Sequence, residues 1–315
     1  MNEVITCGLT CFNARDTIER AINSAFGQKW DGDLQVLVCD DFSTDGSREF
    51  LEQLSEQRKG LRIVLNEANL GVAGSRNRLI DEAADGWLIF FDDDDTSDPL
   101  RASIQREKIL AAEKETESMN VLCYSDRLQN LPNGEVHYEK TIRPDRLISG
   151  EEMADFMLSG WSKIGLYGSC ATCSMMARRD TFLRNGCFDE NFLRGEDTEF
   201  NLRFALAGGY FTGVTQPLVE QMITSGHDKG LEKELEIPEK LLRKYESEMR
   251  KRGTLLQNRL WSRFRADWFR GKKFAAFMRL TEAFLRAPVA TMRRLKSTFK
   301  GARTHRAFTA VHRGS

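Results

Sequence analysis

The 315-residue sequence has no uninterrupted apolar run that approaches the ~18 residues needed by a membrane-spanning helix. It also has no recognisable amino-terminal signal segment, because a strand-like run begins directly after residues 1–3. Its seven cysteines are scattered rather than regularly spaced, and it contains no internal repeat or low-complexity segment. These absences exclude a disulfide-stapled scaffold and a repeat protein. We therefore expect a cytoplasmic globular protein with free thiols.

Charge is nearly balanced overall but is unevenly distributed. Hydrophobic residues make up 41% and charged residues 30%, which is ordinary for a globular protein, and the formal net charge is −1. Residues 251–315 nevertheless hold 17 lysines and arginines against Asp267 and Glu282, so they carry +15 and residues 1–250 carry −16. The chain thus divides into an acidic body and a basic carboxyl-terminal segment.

Residues 1–100 alternate between strand-like and helix-like periodicity. Four short apolar runs are typical of buried strands: Val4–Cys11, Leu34–Cys39, Leu61–Leu65 and Trp87–Phe91. Between them lie amphipathic segments that predict three helices: one capped by Asn13, one carrying Leu51 and Leu54, and one over Ser75–Ala84. This alternation predicts an α/β fold, with a Rossmann-like, mainly parallel sheet flanked by helices.

Polar clusters follow three of these predicted strands, over Thr10–Asn13, Asp40–Asp45 and Asp92–Asp95. Ligands of parallel sheets bind outside the carboxyl ends of the strands. We therefore expect the three clusters to line one crevice.

The pattern weakens after residue 100. It predicts strands over Val121–Ser125, Ser169–Arg178 and Tyr210–Val214, a helix over Thr198–Ala207 and a loop over 130–146. From about residue 229 the sequence is wholly helical in pattern, with Pro238 near the start of the first helix. We therefore expect a main domain over residues 1–228 and a helical, basic extension over residues 229–315.

Four adjacent aspartates follow the apolar run WLIFF at residues 92–95. Four neighbouring carboxylates repel one another, and Mg²⁺ or Mn²⁺ offsets such charge while also binding phosphate oxygens. Alternate residues of an extended segment share a face, so Asp92 and Asp94 can point together while Asp93 points away. The sequence favours a divalent metal site at Asp92 and Asp94; the alternative is a solvated acidic loop that precedes a helix.

These residues carry a resemblance to a known family. FFDDDDTSDP, together with DDFSTDGS at 40–47 and NLGVAGSRN at 69–77, is similar to the amino-terminal half of glycosyltransferase family 2. The resemblance covers residues 3–215 and is weakest over 105–165. It implies the GT-A fold, a single nucleotide-binding α/β domain with a metal-binding Asp-x-Asp motif after its fourth strand.

The resemblance also implies residues that bind a nucleotide-sugar donor: Thr10, Phe12, Asn13, Asp41, Arg76 and Asp93. The Phe12 ring could stack on a base, and the carboxylate of Asp41 could accept a ring N–H. The alternatives are that Phe12 belongs to the core, that the aspartates only form a turn, and that Arg76 is a structural ion-pair partner. The family usually has tyrosine at position 12, so a hydroxyl contact there is lost.

A second acidic motif, RGED at residues 194–197, precedes the helix expected near Thr198. By resemblance it is the catalytic-base motif, with the base at Asp197 and Glu196 beside it. An acceptor hydroxyl must lose its proton as it attacks the anomeric carbon, and a carboxylate within hydrogen-bond reach can take that proton. The alternative is that Glu196 and Asp197 only complement the helix dipole.

Other candidate site residues give weaker signals. Cys170 and Cys173 have the spacing of half a zinc site, but no second pair lies at a suitable distance, so small buried strand residues are the expectation. His227 lies where some members of the family place a histidine near the metal or phosphate. The other histidines belong to no constellation: His137, His305 and His312.

The basic segment over residues 251–315 interleaves cations with large apolar side chains, including Trp261, Phe264, Trp268 and Phe277. A basic amphipathic helix with aromatic residues is typical of peptides that bind anionic membranes. The alternatives are a helix docked on the acidic body and a nucleic-acid tail, but no nucleic-acid-binding motif accompanies the segment.

Together these features predict an inverting, metal-dependent glycosyltransferase, peripheral on the inner face of the cell membrane. Its expected partners are a nucleotide-sugar donor, with a UDP-sugar favoured, and a saccharide or lipid-linked acceptor in cell-surface polysaccharide or glycolipid biosynthesis. Two alternatives stay open. A sugar nucleotidyltransferase would need a glycine-rich loop after the first strand, and a non-catalytic sugar-nucleotide sensor would not need an intact base.

Overall fold

The computed structural model describes residues 3–142, 146–162, 168–223 and 231–296, which form two compact units. The described residues within 3–150 and 168–223 make up the first unit, and those within 151–162 and 231–296 make up the second. The contacts place residues 151–162 with the carboxyl-terminal helices. The expected division into domains 1–228 and 229–315 stays a prediction.

The first unit is built on one sheet. Its strands are β1 Val4–Cys11, β2 Asp33–Asp40, β3 Leu61–Leu65, β4 Trp87–Phe91, β5 Thr96–Ser97, β6 Val121–Asn130, β7 Val136–Glu139, β8 Ile148–Ser149, β9 Met175–Arg178 and β10 Tyr210–Met222. Its helices are α1 Ile18–Phe26, α2 Ser47–Gln57, α3 Gly71–Glu82, α4 Arg101–Thr116, α6 Arg179–Arg184 and α7 Glu196–Leu206, with a 3₁₀ turn at Thr172–Ser174. Helix α5, Gly150–Ser159, leads into the second unit.

Strand order in this sheet is β3-β2-β1-β4-β9-β6-β10-β5, with β7 beside β6 and β8 beside β10. The strands β3, β2, β1 and β4 are parallel, as are β6 and β10, whereas β9, β5, β7 and β8 pair antiparallel. The predicted α/β fold, with a mainly parallel sheet flanked by helices, is confirmed. Register places Leu9 beside Phe91 and Cys11 beside Asp40, so the polar segments after β1, β2 and β4 leave the same edge.

The core explains why these segments fold as they do. Ile5 and Leu9 of β1 and Ile89 of β4 are fully buried together with Ile18 and Ile22 of α1. Each such side chain contributes about 1.5–3 kcal/mol relative to leaving it exposed. The four apolar runs therefore fix the sheet that positions the crevice.

Local structure departs from the sequence predictions at several points. Asn13 does not cap α1, which begins at Ile18 after Thr17; instead Asn13 lies at φ 52° and its side-chain oxygen accepts the Thr44 N–H. Helix α3 begins at Gly71 rather than Ser75, and the predicted strand Ser169–Arg178 is a 3₁₀ turn followed by the short β9.

Strand and helix ends also shift after residue 120. The segment expected as a loop over 130–146 contains β7, which pairs with β6, and β10 continues to Met222 instead of ending at Val214. Helix α7 begins at Glu196, so the RGED motif enters its first turn. Pro238 lies inside its helix rather than near the start.

The second unit is helical, as predicted, with α8 Leu231–Lys244, α9 Glu246–Lys251, α10 Leu255–Phe269, α11 Lys273–Arg286 and a further helical stretch over 288–296. Arg252 ties α9 to α5, because its guanidinium pairs with Glu248, Glu151 and Asp155. Within the described part of the chain, no helix has both the length and the apolar character that crossing a bilayer requires.

Candidate active site

Each of the four aspartates after β4 accepts a hydrogen bond from a different residue, three through a carboxylate oxygen and Asp94 through its backbone carbonyl. Asp92 accepts a hydrogen bond from Nη2 of Arg76 at 3.2 Å, and Asp93 accepts one from the Phe12 backbone N–H at 3.0 Å. The carbonyl of Asp94 accepts from Arg20 at 2.6 Å, and Oδ1 of Asp95 accepts from the Met222 N–H at 3.0 Å. The run is therefore an ordered turn connected to β1, α1, α3 and β10.

Asp95 is the most deeply buried of the four, with 1% of its surface exposed. Its second oxygen, Oδ2, has no hydrogen-bond partner among the described residues. Burial, and after it the charges of Asp92 and Asp94, raises the pKa of Asp95 to about 9. Burial likewise raises the pKa of Asp93 to about 7, although the Phe12 N–H opposes that shift. An acidic group without a donor in such a place fits a cation.

The described residues bring together three groups that could hold a metal ion. One ligand atom each from Asp92, Asp95 and Cys173 lies within 4.8 Å of the others. Oxygen ligands from a carboxylate pair suit Mg²⁺ or Mn²⁺, and a sulfur ligand suits softer ions. The orphaned oxygen of Asp95 therefore supports a metal at this edge, whereas the particular pair Asp92 and Asp94 stays a prediction.

Arg76 joins the two acidic motifs. It is buried in α3 with 5% of its surface exposed, and its Nη1 pairs with Oε1 of Glu196 at 2.5 Å while its Nη2 reaches Asp92. Burial raises the pKa of Glu196, and Arg76 opposes that rise. Arg76 is thus an ion-pair partner of both motifs, which places the RGED motif beside the aspartate run, and its predicted contact with the donor stays a prediction.

Asp197 is half-buried in the first turn of α7. Its Oδ1 accepts the Thr198 N–H at 2.6 Å and the Thr198 hydroxyl at 3.2 Å. The preceding Gly195 has φ 73°, a left-handed conformation that favours glycine and turns the chain into the helix. The first turn of α7 therefore holds Asp197 next to Glu196, and the ion pair with Arg76 fixes the position of Glu196.

Some of the predicted nucleotide-binding residues are exposed, and others already accept hydrogen bonds from within the protein. Phe12 is 46% exposed at the end of β1, and Thr10 and Asn13 are near it in the chain, so the ring is accessible for stacking. Asp41 is buried, and its carboxylate accepts from the Asn66 side chain and from the N–H groups of Leu70 and Gly71. Asp41 therefore anchors the start of α3, and its contact with a base stays a prediction.

Two groups at this edge were missed as site residues, Asp95 and Cys173. Asp95 belongs to the aspartate run, but its hydrogen bond to Met222 depends on the part of β10 beyond Val214, which the sequence did not predict. Cys173 was weighed only with Cys170, yet the described structure groups it with Asp92 and Asp95. All seven cysteines are free, as expected. His227, His305 and His312 lie outside the described residues.

Comparisons with known proteins show the family of this chain. Residues 6–182 match the sequence profile of "Glycosyl transferase family 2". The amylovoran biosynthesis glycosyltransferase AmsB of Erwinia amylovora is 26% identical over 221 residues, which cover 69% of each chain. The succinoglycan biosynthesis protein ExoO of Rhizobium meliloti is 31% identical over 125 residues, covering 39% of this chain and 35% of that relative.

Among solved structures, S. aureus TarS 1–349 in complex with UDP-GlcNAc superposes with a TM-score of 0.54 at 17% identity, covering 76% of this chain and 66% of TarS. This likeness shows a shared GT-A fold. The match to ExoO spans about a third of that relative's length. Since the family profile covers more than half of the residues and includes the strands that form the crevice, the chain belongs to glycosyl transferase family 2.

Proposed function

We propose that this chain is a metal-dependent, inverting glycosyltransferase that moves a sugar from a nucleotide-diphosphate sugar to a saccharide or lipid-linked acceptor. The observation that carries the proposal is Arg76, which binds Asp92 and Glu196 at once and so brings the donor motif and the base motif to one sheet edge. The UDP-GlcNAc complex of TarS supports a UDP-sugar as donor. The similarity to AmsB, an amylovoran biosynthesis glycosyltransferase, and to ExoO, a succinoglycan biosynthesis protein, supports a role in polysaccharide biosynthesis.

In the proposed reaction Asp197 is the general base. Its carboxylate takes the proton of an acceptor hydroxyl while that oxygen forms a bond to the anomeric carbon. The bond from that carbon to the diphosphate oxygen breaks in the same displacement, and the leaving nucleoside diphosphate keeps the electron pair. A single displacement inverts the anomeric centre, so no covalent sugar–enzyme intermediate is needed.

Other residues hold the donor and orient the base. Asp92 and Asp94 would hold Mn²⁺ or Mg²⁺, which when bound supplies positive charge for the departing diphosphate. The exposed ring of Phe12 would stack on the nucleobase of the donor, and Thr10 and Asn13 lie close to it in the chain. Asp93 fixes the Phe12 backbone through a hydrogen bond, and Asp41 fixes the start of α3, from which Arg76 extends.

The two alternative functions would require a different segment after the first strand or would not require a catalytic base. A sugar nucleotidyltransferase needs a glycine-rich phosphate loop after β1, whereas here Phe12 and Asn13 follow it. A sugar-nucleotide sensor would bind the donor without turnover. Release of UDP from UDP-GlcNAc and other UDP-sugars in the presence of Mn²⁺ separates the three, because only the transferase yields UDP together with a lengthened acceptor.

Replacing Asp94 by Ala is expected to abolish the part of UDP-GlcNAc affinity that depends on Mn²⁺, at least about tenfold, because a ligand of the cation is lost. Isothermal titration with UDP-GlcNAc, with and without Mn²⁺, measures the change. Asp31→Ala is the matched control, since Asp31 is an exposed aspartate distant from the run in sequence. Full Mn²⁺-dependent affinity in Asp94→Ala would refute the assignment of this ligand.

The basic carboxyl-terminal segment over residues 251–315 is proposed as the contact with an anionic membrane. Trp261 and Phe264 of α10 are half-buried and their rings contact each other, with centroids 5.1 Å apart. In α11, by contrast, the small side chains Ala276 and Ala283 are buried. Seven large apolar side chains over 273–296 are exposed, whereas Leu280 and Leu295 are half-buried: the exposed ones are Phe274, Phe277, Met278, Phe284, Leu285, Val289 and Met292.

These exposed side chains recur at helical spacing, and lysines and arginines lie beside them, including Lys272, Lys273 and Arg293. An apolar helix face bordered by cations matches the chemistry of an anionic bilayer surface. The proposed location is therefore the cytoplasmic face of the membrane, where a lipid-linked acceptor would be presented.

A triple variant, Phe274→Ser, Phe277→Ser and Leu285→Ser, should bind vesicles of equal phosphatidylcholine and phosphatidylglycerol at least about tenfold more weakly than the wild type. Sedimentation with these vesicles measures the loss, and pure phosphatidylcholine vesicles test the contribution of charge. Met119→Ser with Val136→Ser removes exposed apolar groups from the first unit and should leave binding unchanged. Equal binding by the triple variant would contradict the membrane proposal.

A further inference from the structure

Cys173 is carried to the aspartate run by the antiparallel pairing of β9 with β4. Met176 pairs with Ile89, so the 3₁₀ turn Thr172–Ser174 that precedes β9 lies at the carboxyl end of β4. Cys173 is buried in this turn, with 2% of its surface exposed. Its sulfur lies within 4.8 Å of ligand oxygens of Asp92 and Asp95. The thiol therefore faces the donor edge rather than the hydrophobic core alone.

The buried guanidinium of Arg127 lies against this sulfur. Nη1 of Arg127, on β6, lies 3.5 Å from the sulfur and 2.8 Å from Oε1 of Gln221, and its Nη2 lies 2.8 Å from the Ser169 hydroxyl. Three partners thus fix the guanidinium beside Cys173. Burial raises the pKa of the Cys173 thiol to about 12 and the charge of Arg127 opposes that rise, so a bound cation would have to displace the thiol proton.

The second buried residue of this group is Asp95, which has one unsatisfied carboxylate oxygen. Oδ1 of this carboxylate accepts the Met222 N–H, while Oδ2 has no partner among the described residues although Asp95 is almost completely buried. Leaving a buried polar atom unpaired costs about 1–3 kcal/mol. A cation would satisfy it.

We propose that Asp95 and Cys173, together with Asp92 and the predicted ligand Asp94, hold the divalent cation of the donor site, so that the site has one sulfur ligand. The inference rests on the proposed function, since the ion is the one that would meet the diphosphate. Mg²⁺ binds thiolates poorly, whereas Mn²⁺, Co²⁺, Zn²⁺ and Cd²⁺ accept mixed oxygen and sulfur ligands in increasing preference. The cysteine thereby biases the enzyme away from Mg²⁺. When the metal–sulfur bond forms, the thiol proton leaves to solvent.

Cadmium reports a sulfur ligand directly, because a thiolate bound to Cd²⁺ gives an ultraviolet charge-transfer band. Titration of the full chain with Cd²⁺ in the absence of other metals should give a band that saturates at one equivalent. Cys173→Ser should lose this band and bind Cd²⁺ at least about tenfold more weakly, because even outer-shell partners of a metal site contribute that much. Cys187→Ser is the control, since Cys187 is a less buried thiol outside the group.

The carboxylate is tested separately with Mn²⁺. Asp95→Asn keeps an oxygen to accept the Met222 N–H, so the fold should persist, and circular dichroism checks this. We expect Mn²⁺ binding, measured from the free-ion signal in electron paramagnetic resonance, to weaken at least about tenfold. Mn²⁺ affinity equal to that of the wild type would exclude Asp95 from the site.

The inference on Cys173 is overturned if wild type gives no cadmium band, if the band survives Cys173→Ser, or if Cys187→Ser removes it. Failure of the proposed function looks different. In that case no UDP is released from any UDP-sugar with Mn²⁺, whatever the cadmium band does. If UDP release persists while the band survives Cys173→Ser, only the sulfur ligand is wrong.

Discussion

Replacing Asp197 by Asn lowers the rate of sugar transfer by about 10²–10⁴-fold and leaves donor affinity nearly unchanged. The amide cannot take a proton from the acceptor hydroxyl, so the general base is lost. Asn does keep the oxygen that accepts the Thr198 N–H, and α7 should therefore begin as in the wild type. The effect is expected on turnover rather than on donor affinity, because the hydrogen bonds that the Asp197 carboxylate accepts come from Thr198 and not from the aspartate run.

Turnover is measured as UDP release with acceptor present, and donor affinity as Mn²⁺-dependent binding of UDP-GlcNAc. Asp180→Asn is the control, because Asp180 is an exposed acid on the nearby helix α6 whose partner is Arg184. This control should retain wild-type turnover. Wild-type turnover in Asp197→Asn would remove the base assignment, and a collapse of donor affinity would assign Asp197 to donor binding instead.

The first half of the sheet was predictable because its strands need no distant information. The bounds of β1, β3 and β4 coincide with those predicted from the sequence. The runs of β1 and β4 are almost wholly buried, so composition alone marks them, and β3 is a half-buried strand at the edge of the sheet. Helix ends were less predictable, since Gly71 starts α3 only where its N–H can reach the Asp41 carboxylate.

The second half depends on pairings that composition does not encode. Strand β10 runs through the polar residues 215–217 because β6 pairs with it across two register shifts around Pro217. Strand β9 is short, and its position depends on its antiparallel pairing with β4. The periodicity of the sequence contains no information about these pairing partners. The predicted strand therefore ends too early for β10 and is too long for β9.

The same limit separates the two parts of the candidate site. The aspartate run and the polar ends of β1 and β2 follow strands of one parallel set, so their convergence could be inferred. The meeting of Asp95 with Cys173 requires the antiparallel return of β9 and the length of β10. Arg76 is intermediate: its ion pair was weighed as an alternative, but Glu196 as its partner, 120 residues away, was not foreseen.

Replacing Arg76 by Met is expected to lower the free energy of unfolding by about 3–5 kcal/mol, the usual cost of removing one partner from a buried ion pair. The side chain of Glu196 is only 10% exposed, so it loses its counter-charge where water cannot replace it. Sugar transfer should also be lost, because the base motif is no longer tied to Asp92. Denaturant unfolding of the metal-free protein measures the stability change.

Arg78→Met is the matched control on the same helix. Arg78 is 44% exposed and pairs with Glu82 one turn away, and such surface pairs contribute about 0–1 kcal/mol. The double variant Arg76→Met with Glu196→Gln should recover much of the stability, because the uncompensated carboxylate is gone. Equal losses in Arg76→Met and Arg78→Met would show that the buried pair has no special role.

The loss of stability in Arg76→Met is expected to depend on pH. Burial raises the folded-state pKa of Glu196, and removing Arg76 removes the group that opposes the rise. In Arg76→Met the folded state then keeps a proton on Glu196 that the unfolded state has lost, so stability falls as pH rises above the ordinary pKa of glutamate. The deficit should therefore be larger at about pH 8 than at about pH 5, and Glu196→Gln should remove that difference. A deficit independent of pH would mean that lost packing around Arg76, rather than the charge of Glu196, determines the stability of this edge of the sheet.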